Sequence, residues 1–129
     1  VKIGKHKKYS NQKVTIYQGD IFELKSGTIQ ADAWYDRAAM IAIEPSTREN
    51  YVNQIRKQTK SGAVGLLITF AYPQEQMEGP PFALHDGDVA RLFSDGFELE
   101  CLETINLEEE KYTDIDKVTS SVFKITRID

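Results

Sequence analysis

The residues best equipped for chemistry lie where an apolar stretch, Ala31-Asp32-Ala33-Trp34-Tyr35, runs straight into Asp36-Arg37-Ala38-Ala39. Gly79-Pro80-Pro81-Phe82 follows farther along the chain. If Ala33-Trp34-Tyr35 is a strand, a carboxylate and a guanidinium fall at its carboxyl end. In open α/β sheets that edge is where small ligands bind. An arginine there can clamp a carboxylate through two parallel hydrogen bonds, which a lysine cannot imitate. An isolated Asp-Arg pair more often does no more than fix a turn, so the surroundings must decide between the two readings. Other reactive side chains are scattered. His6 and His85 have no neighbours with ligand spacing, so no metal is expected. Cys101 falls in an alternating stretch, and Glu108-Glu109-Glu110 reads as a solvated charge run. Trp34 reads as a sheet-packing residue rather than a stacking platform. No nucleophilic triad, phosphate loop or zinc spacing stands out.

Positioning such a site requires a strand-and-helix frame, and its pieces are legible. Val14-Thr15-Ile16-Tyr17 is a β-branched strand stopped by Gly19-Asp20. Ala33-Trp34-Tyr35 is a second strand, and residues 38–43 form a short apolar helical turn that ends before Pro45. Ser46-Thr47-Arg48-Glu49 matches a capping box in which Ser46 caps the first amides and Glu49 reaches back. Val52, Ile55 and Thr59 then recur at helical spacing, with Tyr51 beside them and Ser61-Gly62 as a stop. The continuous apolar run 63–70 reads as a central strand buried on both faces. Asp86 is expected to cap a second helix carrying Val89, Leu92 and Phe93 on one face. Residues 97–105 alternate as a strand, 106–121 form a polar excursion, and 122–128 make a last strand. The order strand, strand, helix, strand, helix, strand, strand predicts an α/β domain with a mostly parallel sheet and an antiparallel last strand.

At 129 residues, 40% hydrophobic and 28% charged, the chain is expected to be a single domain with one core. No apolar run approaches the roughly 20 residues that cross a bilayer, so no membrane partner is expected. With no charged-then-apolar leader in view and a lone cysteine, the expected location is the cytoplasm. A net charge of −4 disfavours nucleic acid as a partner. Residues 1–13 are basic and read as a solvated, mobile arm, whereas the last third is acidic.

Set in order, Gln18-Gly19-Asp20-Ile21-Phe22-Glu23-Leu24, Tyr35-Asp36-Arg37-Ala38-Ala39 and Gly79-Pro80-Pro81-Phe82 resemble the thiopurine S-methyltransferase family. Val89-Ala90-Arg91-Leu92-Phe93 and the Cys101-Leu102-Glu103 strand add to the resemblance, which covers residues 14–128. It implies a seven-stranded Rossmann-like methyltransferase sheet. It also implies S-adenosylmethionine as cofactor, with methyl transfer to an aromatic or heterocyclic thiol, or to a selenium or tellurium acceptor. By the same resemblance Asp20, Ile21, Asp36 and Arg37 are expected to bind cofactor. Arg37 is expected to be the catalytic arginine and to touch the acceptor, whose pocket Pro80, Pro81 and Phe82 would wall.

One part of the family pattern is missing. Its Gly-rich loop and the acidic residue after the second strand have no counterpart before Val14, where Gly4 sits among lysines. The expected fold is therefore a partial sheet lacking the first two strands, an incomplete methyltransferase domain. The strand at 33–35 would then be a raw edge, open to self-association or to a second polypeptide. The chain reads as a fragment of such an enzyme, with half of a split enzyme or a non-catalytic interaction module as the alternatives.

Overall fold

Two separate sheets arise from the strand-forming stretches. The computed structural model describes residues 1–107 and 117–129. The first sheet is a meander of β1 (Lys2–Ile3), β2 (His6–Ser10) and β3 (Thr15–Gln18), antiparallel throughout. The second contains β4 (Ala31–Asp36), β5 (Thr59–Ile68), β6 (Phe97–Asn106) and β7 (Thr119–Arg127) in the order β4-β5-β7-β6. Three helices intervene: α1 (Ala39–Ala42), α2 (Arg48–Lys57) and α3 (Asp86–Leu92).

The second sheet has the partial Rossmann-like form expected. β4 and β5 are parallel, and β7 is antiparallel to both β5 and β6. Three strands thus run one way and the last is reversed. β4 lies at an edge of this sheet, as expected.

The 14–17 strand, expected in this sheet, lies instead in the meander. Asn11 explains why: its Oδ1 accepts the Lys13 and Val14 amides at 2.9 and 2.7 Å, closing a tight hairpin. Short-range closure costs little chain entropy, so β3 pairs with its neighbour β2. The basic residues 1–13, expected as a mobile arm, are largely the strands of that hairpin. A second difference concerns α2, which stops at Lys57 rather than at Ser61-Gly62. The Ala31 amide captures the Gln58 carbonyl at 3.0 Å, and β5 begins at the next residue. The acidic run Glu108-Glu109-Glu110 and most of the 106–121 excursion lie outside the described residues.

Register puts Trp34 beside Gly65, Asp36 beside Leu67, Gly65 beside Ile125 and Leu67 beside Phe123, all on one face. Against that face pack Tyr51, Val52 and Ile55 of α2 and Val89 of α3, with Phe93 following, which closes the main core. Trp34 stacks over Phe93 with ring centroids 6.2 Å apart, so it packs the sheet as anticipated. The opposite face carries Ala33, Tyr35, Val64 and Leu66. The expectation that β5 is buried on both faces fails there: Leu66 is 38% exposed and its neighbour Tyr35 63%. An apolar strand is buried on both sides only when both sheet faces carry a layer, and α2 and α3 occupy the same one. No described helix is long and apolar enough to cross a membrane.

Gly65 is required by this packing, because a Cβ there would fall inside the Trp34 indole. Gly65→Ala is expected to lower unfolding stability by about 2 kcal/mol, the usual cost of overpacking, read from the urea midpoint at unchanged slope.

Candidate active site

Asp36 and Arg37 fall at the carboxyl end of β4, and the 79–82 loop lies in the connection after β5. Asp36 ends β4 and is buried. Its Oδ1 accepts the Ala39 and Met40 amides at 3.0 and 3.4 Å. It thereby caps α1, whose own N-cap residue, Ala38, has no group to do so. Asp36 Oδ2 accepts the Tyr51 hydroxyl at 2.6 Å. Burial, and then the adjacent carboxylate, push the Tyr51 pKa well up, so the phenol stays a donor. Both carboxylate oxygens of Asp36 are thus engaged within the protein. Arg37 is the reverse. Its side chain is exposed and has no hydrogen bond or ion pair among the described residues. Its guanidinium donors are free for a ligand, on a backbone that Asp36 holds still.

Gly79 has φ +89°, and the Phe82 ring lies 2.7 Å from where a Cβ would be, so the turn requires glycine. The Phe82 amide donates to the Ile41 carbonyl at 2.7 Å, tying the loop to α1. The Tyr72 hydroxyl donates to the Pro81 carbonyl at 2.6 Å, and Gln74 Oε1 accepts the Ala83 amide at 2.8 Å. Pro80 is exposed, while Pro81 and Phe82 are half-buried.

One residue holds these parts together, and sequence reasoning assigned it no such role. The Arg48 side chain, buried at 4% exposure, donates from Nε to the Met40 carbonyl at 3.2 Å. It also donates from its two terminal nitrogens to the Ala83 and Phe82 carbonyls at 3.0 and 3.2 Å. Burial lowers its pKa, and the opposite charge of Asp88 partly offsets this. The capping box expected around it does not form: Thr47 is the N-cap of α2 and makes no side-chain cap bond, because Pro45–Thr47 is a 3-10 turn. A signal was present, however. Arg48 lies on the same helical stripe as Tyr51, Val52 and Ile55, a buried face where a cation needs partners. Asp86, expected as a cap, is instead the first residue of α3, and its carboxylate accepts the Ser121 hydroxyl at 2.9 Å.

Asp20 and Ile21 are carried separately. Asp20 caps the turn Ile21–Glu23 by accepting the Phe22 amide on Oδ1 at 2.9 Å. Its carbonyl accepts His6 Nε2 at 2.7 Å, so that nitrogen carries a proton. Ile21, with His6, Ile16, Tyr17, Gly19, Leu24 and others, lines an open, mainly apolar basin of about 370 Å³. Among the described residues, no hydrogen bond or ion pair joins this turn to Arg37 or the 79–82 loop.

Comparison with known proteins places the arrangement. Solved structures with this fold include an S-adenosylmethionine-dependent methyltransferase from Methanosarcina mazei. Its TM-score is 0.66 at 14% identity, covering 85% of this chain and 65% of that one. The N-methyltransferase NodS from Bradyrhizobium japonicum, solved with S-adenosyl-L-homocysteine, matches at TM-score 0.58 and 7% identity, covering 86% and 53%. At such identities the likeness is one of fold: the class is the methyltransferase type of α/β domain. The family model for thiopurine S-methyltransferase matches residues 1–128. Among curated relatives, thiopurine S-methyltransferase of Shewanella piezotolerans is 38% identical over 98% of this chain and 60% of its own length. That of Shewanella loihica is 40% identical over 96% and 59%. The chain belongs to the thiopurine S-methyltransferase family. It spans about 60% of the length of these two relatives.

Two variants test the supports of the site. Tyr51→Phe should cost about 1–3 kcal/mol near neutral pH by leaving a buried carboxylate oxygen unpaired. Above about pH 10 the unfolded tyrosine ionises while the folded one does not, so wild-type stability falls by roughly 1.4 kcal/mol per pH unit from this group. The phenylalanine variant lacks that loss, so the gap between the two narrows between pH 9 and 11 in denaturant titrations. Arg48→Met should lower stability by about 2–4 kcal/mol, since three carbonyls lose a charged donor.

Proposed function

We propose that this chain forms the acceptor side, and part of the cofactor side, of an S-adenosylmethionine-dependent methyltransferase acting on a thiol or other chalcogen acceptor. The observation that carries the reading is Arg37: an exposed guanidinium that has no partner among the described residues, just past the end of β4 on a backbone clamped by Asp36 and next to α1, which the 79–82 loop joins at Ile41. The cofactor, when bound, would supply a methyl group activated on a sulfonium, whose sulfur would take the bonding pair and leave as a neutral thioether. Ile21 and the apolar basin beside it suit a flat heteroaromatic ring, and Asp20 leaves one carboxylate oxygen without a partner among the described residues. Both fit the adenosine end. Asp36 serves by fixing Arg37 rather than by touching cofactor, since its oxygens are already engaged.

Methyl transfer of this kind is an in-line displacement. Alignment matters more than a strong base. Arg37 favours the thiolate over the thiol of an acceptor by opposite charge, which removes the need for a separate base. Proline and phenylalanine side chains offer a rigid apolar wall for a planar acceptor.

The bare β4 edge and the apolar face around Tyr35 and Leu66 leave room for a further strand and a helix layer. In this reading a segment from the same polypeptide or another supplies them, together with the Gly-rich cofactor loop. The same bare edge favours the second reading, a non-catalytic module that pairs with a copy of itself through β4. Calorimetric titration with S-adenosylhomocysteine, with solution mass measured alongside, separates the two. Saturable binding supports the enzyme reading, whereas a folded dimer that binds nothing supports the module. In an active preparation, Arg37→Ala should reduce kcat/KM for a thiol acceptor by at least about tenfold. Its thermal midpoint should stay unchanged, because Arg37 makes no described intramolecular bond. Arg37→Lys should not restore activity fully, lacking the planar fork.

A further inference from the structure

We infer that α2 is the common support of both halves of the candidate site, with Gln54 and Gln58 positioning the Asp20 and Ile21 turn as Arg48 positions the 79–82 loop. This rests on the reading of the site given above. Gln54 and Gln58 are buried, at 6% and 8% exposure, on a helix face whose other members are apolar or Arg48. A buried primary amide is costly unless its donors and acceptor are matched. Both donate to the backbone that follows Asp20, and Gln54 Oε1 accepts Gln58 Nε2 at 3.4 Å. Gln54 Nε2 donates to the Phe22 carbonyl at 3.0 Å. Gln58 Nε2 donates to the Lys25 carbonyl at 2.8 Å and reaches the Leu24 carbonyl at 3.4 Å, while its Oε1 accepts the Ile29 amide at 2.9 Å. One amide therefore grips both ends of the loop. The Gly27 amide adds a bond to the Lys57 carbonyl at 2.9 Å, at the carboxyl end of the same helix.

The geometry separates two tasks along one rod. Arg48 begins α2 and Gln58 is its C-cap residue, a rise of about 15 Å. Each end holds a different loop through backbone groups only, so the loop side chains, Ile21 at one end and Phe82 at the other, stay available. Glutamine suits the first loop because it must both donate and accept. Arginine suits the second because three carbonyls need only donors.

The test exploits this separation. Gln58→Met and Gln54→Met keep side-chain length and remove the amide, and Gln58→Glu keeps the acceptor for Ile29 but loses the donor. Ile55→Ala lowers core stability without touching either loop. In hydrogen exchange of the 129-residue chain, the Gln58 variants should speed the Gly27 and Ile29 amides but not those of Phe82 and Ala83. Arg48→Met should do the reverse. In titrations, Gln58→Met should weaken S-adenosylhomocysteine by roughly tenfold while leaving 6-mercaptopurine unchanged, with Arg48→Met showing the opposite split. Gln58→Glu should fall between. If the two loops respond together, or Ile55→Ala reproduces the pattern, α2 is merely part of the core and the inference is overturned. If the wild-type chain binds neither ligand, the proposal that this chain by itself carries both halves of the site is overturned, and hydrogen exchange still decides whether α2 holds the two loops independently. Wild-type binding that Gln58→Met leaves intact overturns this inference alone.

Discussion

A single buried guanidinium sets the constraint on which the rest depends. Arg48 takes three carbonyl oxygens from two segments, Met40 in α1 and Phe82 with Ala83 in the loop after β5. A charged donor left unmatched in the interior would be strongly unfavourable, so these segments must meet it together. Their meeting defines the end of the sheet where Arg37 emerges. Local preference alone would not bring a four-residue helix and a proline-rich loop into register, since neither buries enough surface by itself.

The second constraint is the sheet's single covered face. Trp34, Leu67, Phe123 and Ile125 pack against α2 and α3, and that burial is the principal favourable term for the described fold. The face carrying Tyr35 and Leu66 remains open, and so does the β4 edge. An apolar sheet face beside an unpaired strand edge is the kind of surface that further protein can pair with or pack against. The chain spans about 60% of the length of the Shewanella relatives compared above.

Within the site, structural and chemical labour are divided between neighbours. Asp36 spends both oxygens on α1 and Tyr51, and Arg37 has no partner among the described residues. The carboxylate of the pair thus holds the backbone, and the guanidinium is left exposed.

Much of this was determined by sequence alone. The apolar run into Asp36-Arg37 had to end a strand, and residues 51, 52 and 55 had to face a core. Gly79-Pro80-Pro81-Phe82 had to make a rigid turn. Each is a local statement, resting on periodicity or on the restricted torsions of glycine and proline. Tertiary structure decided the rest. An apolar strand such as β3 can pair with a hairpin neighbour or a distant parallel partner, and its own residues do not choose. Leu66 reads as buried on any apolar scale, but burial requires a layer that the described helices do not provide. Gln54 and Gln58 read as ordinary polar helix residues, and the stripe that Arg48 shares with positions 51, 52 and 55 shows that it needs partners without naming them. Only the folded chain brings carbonyls and amides from positions 22–29, 40, 82 and 83 within hydrogen-bond distance of them. The value of a polar side chain is set by its partners, and those partners are far away in sequence.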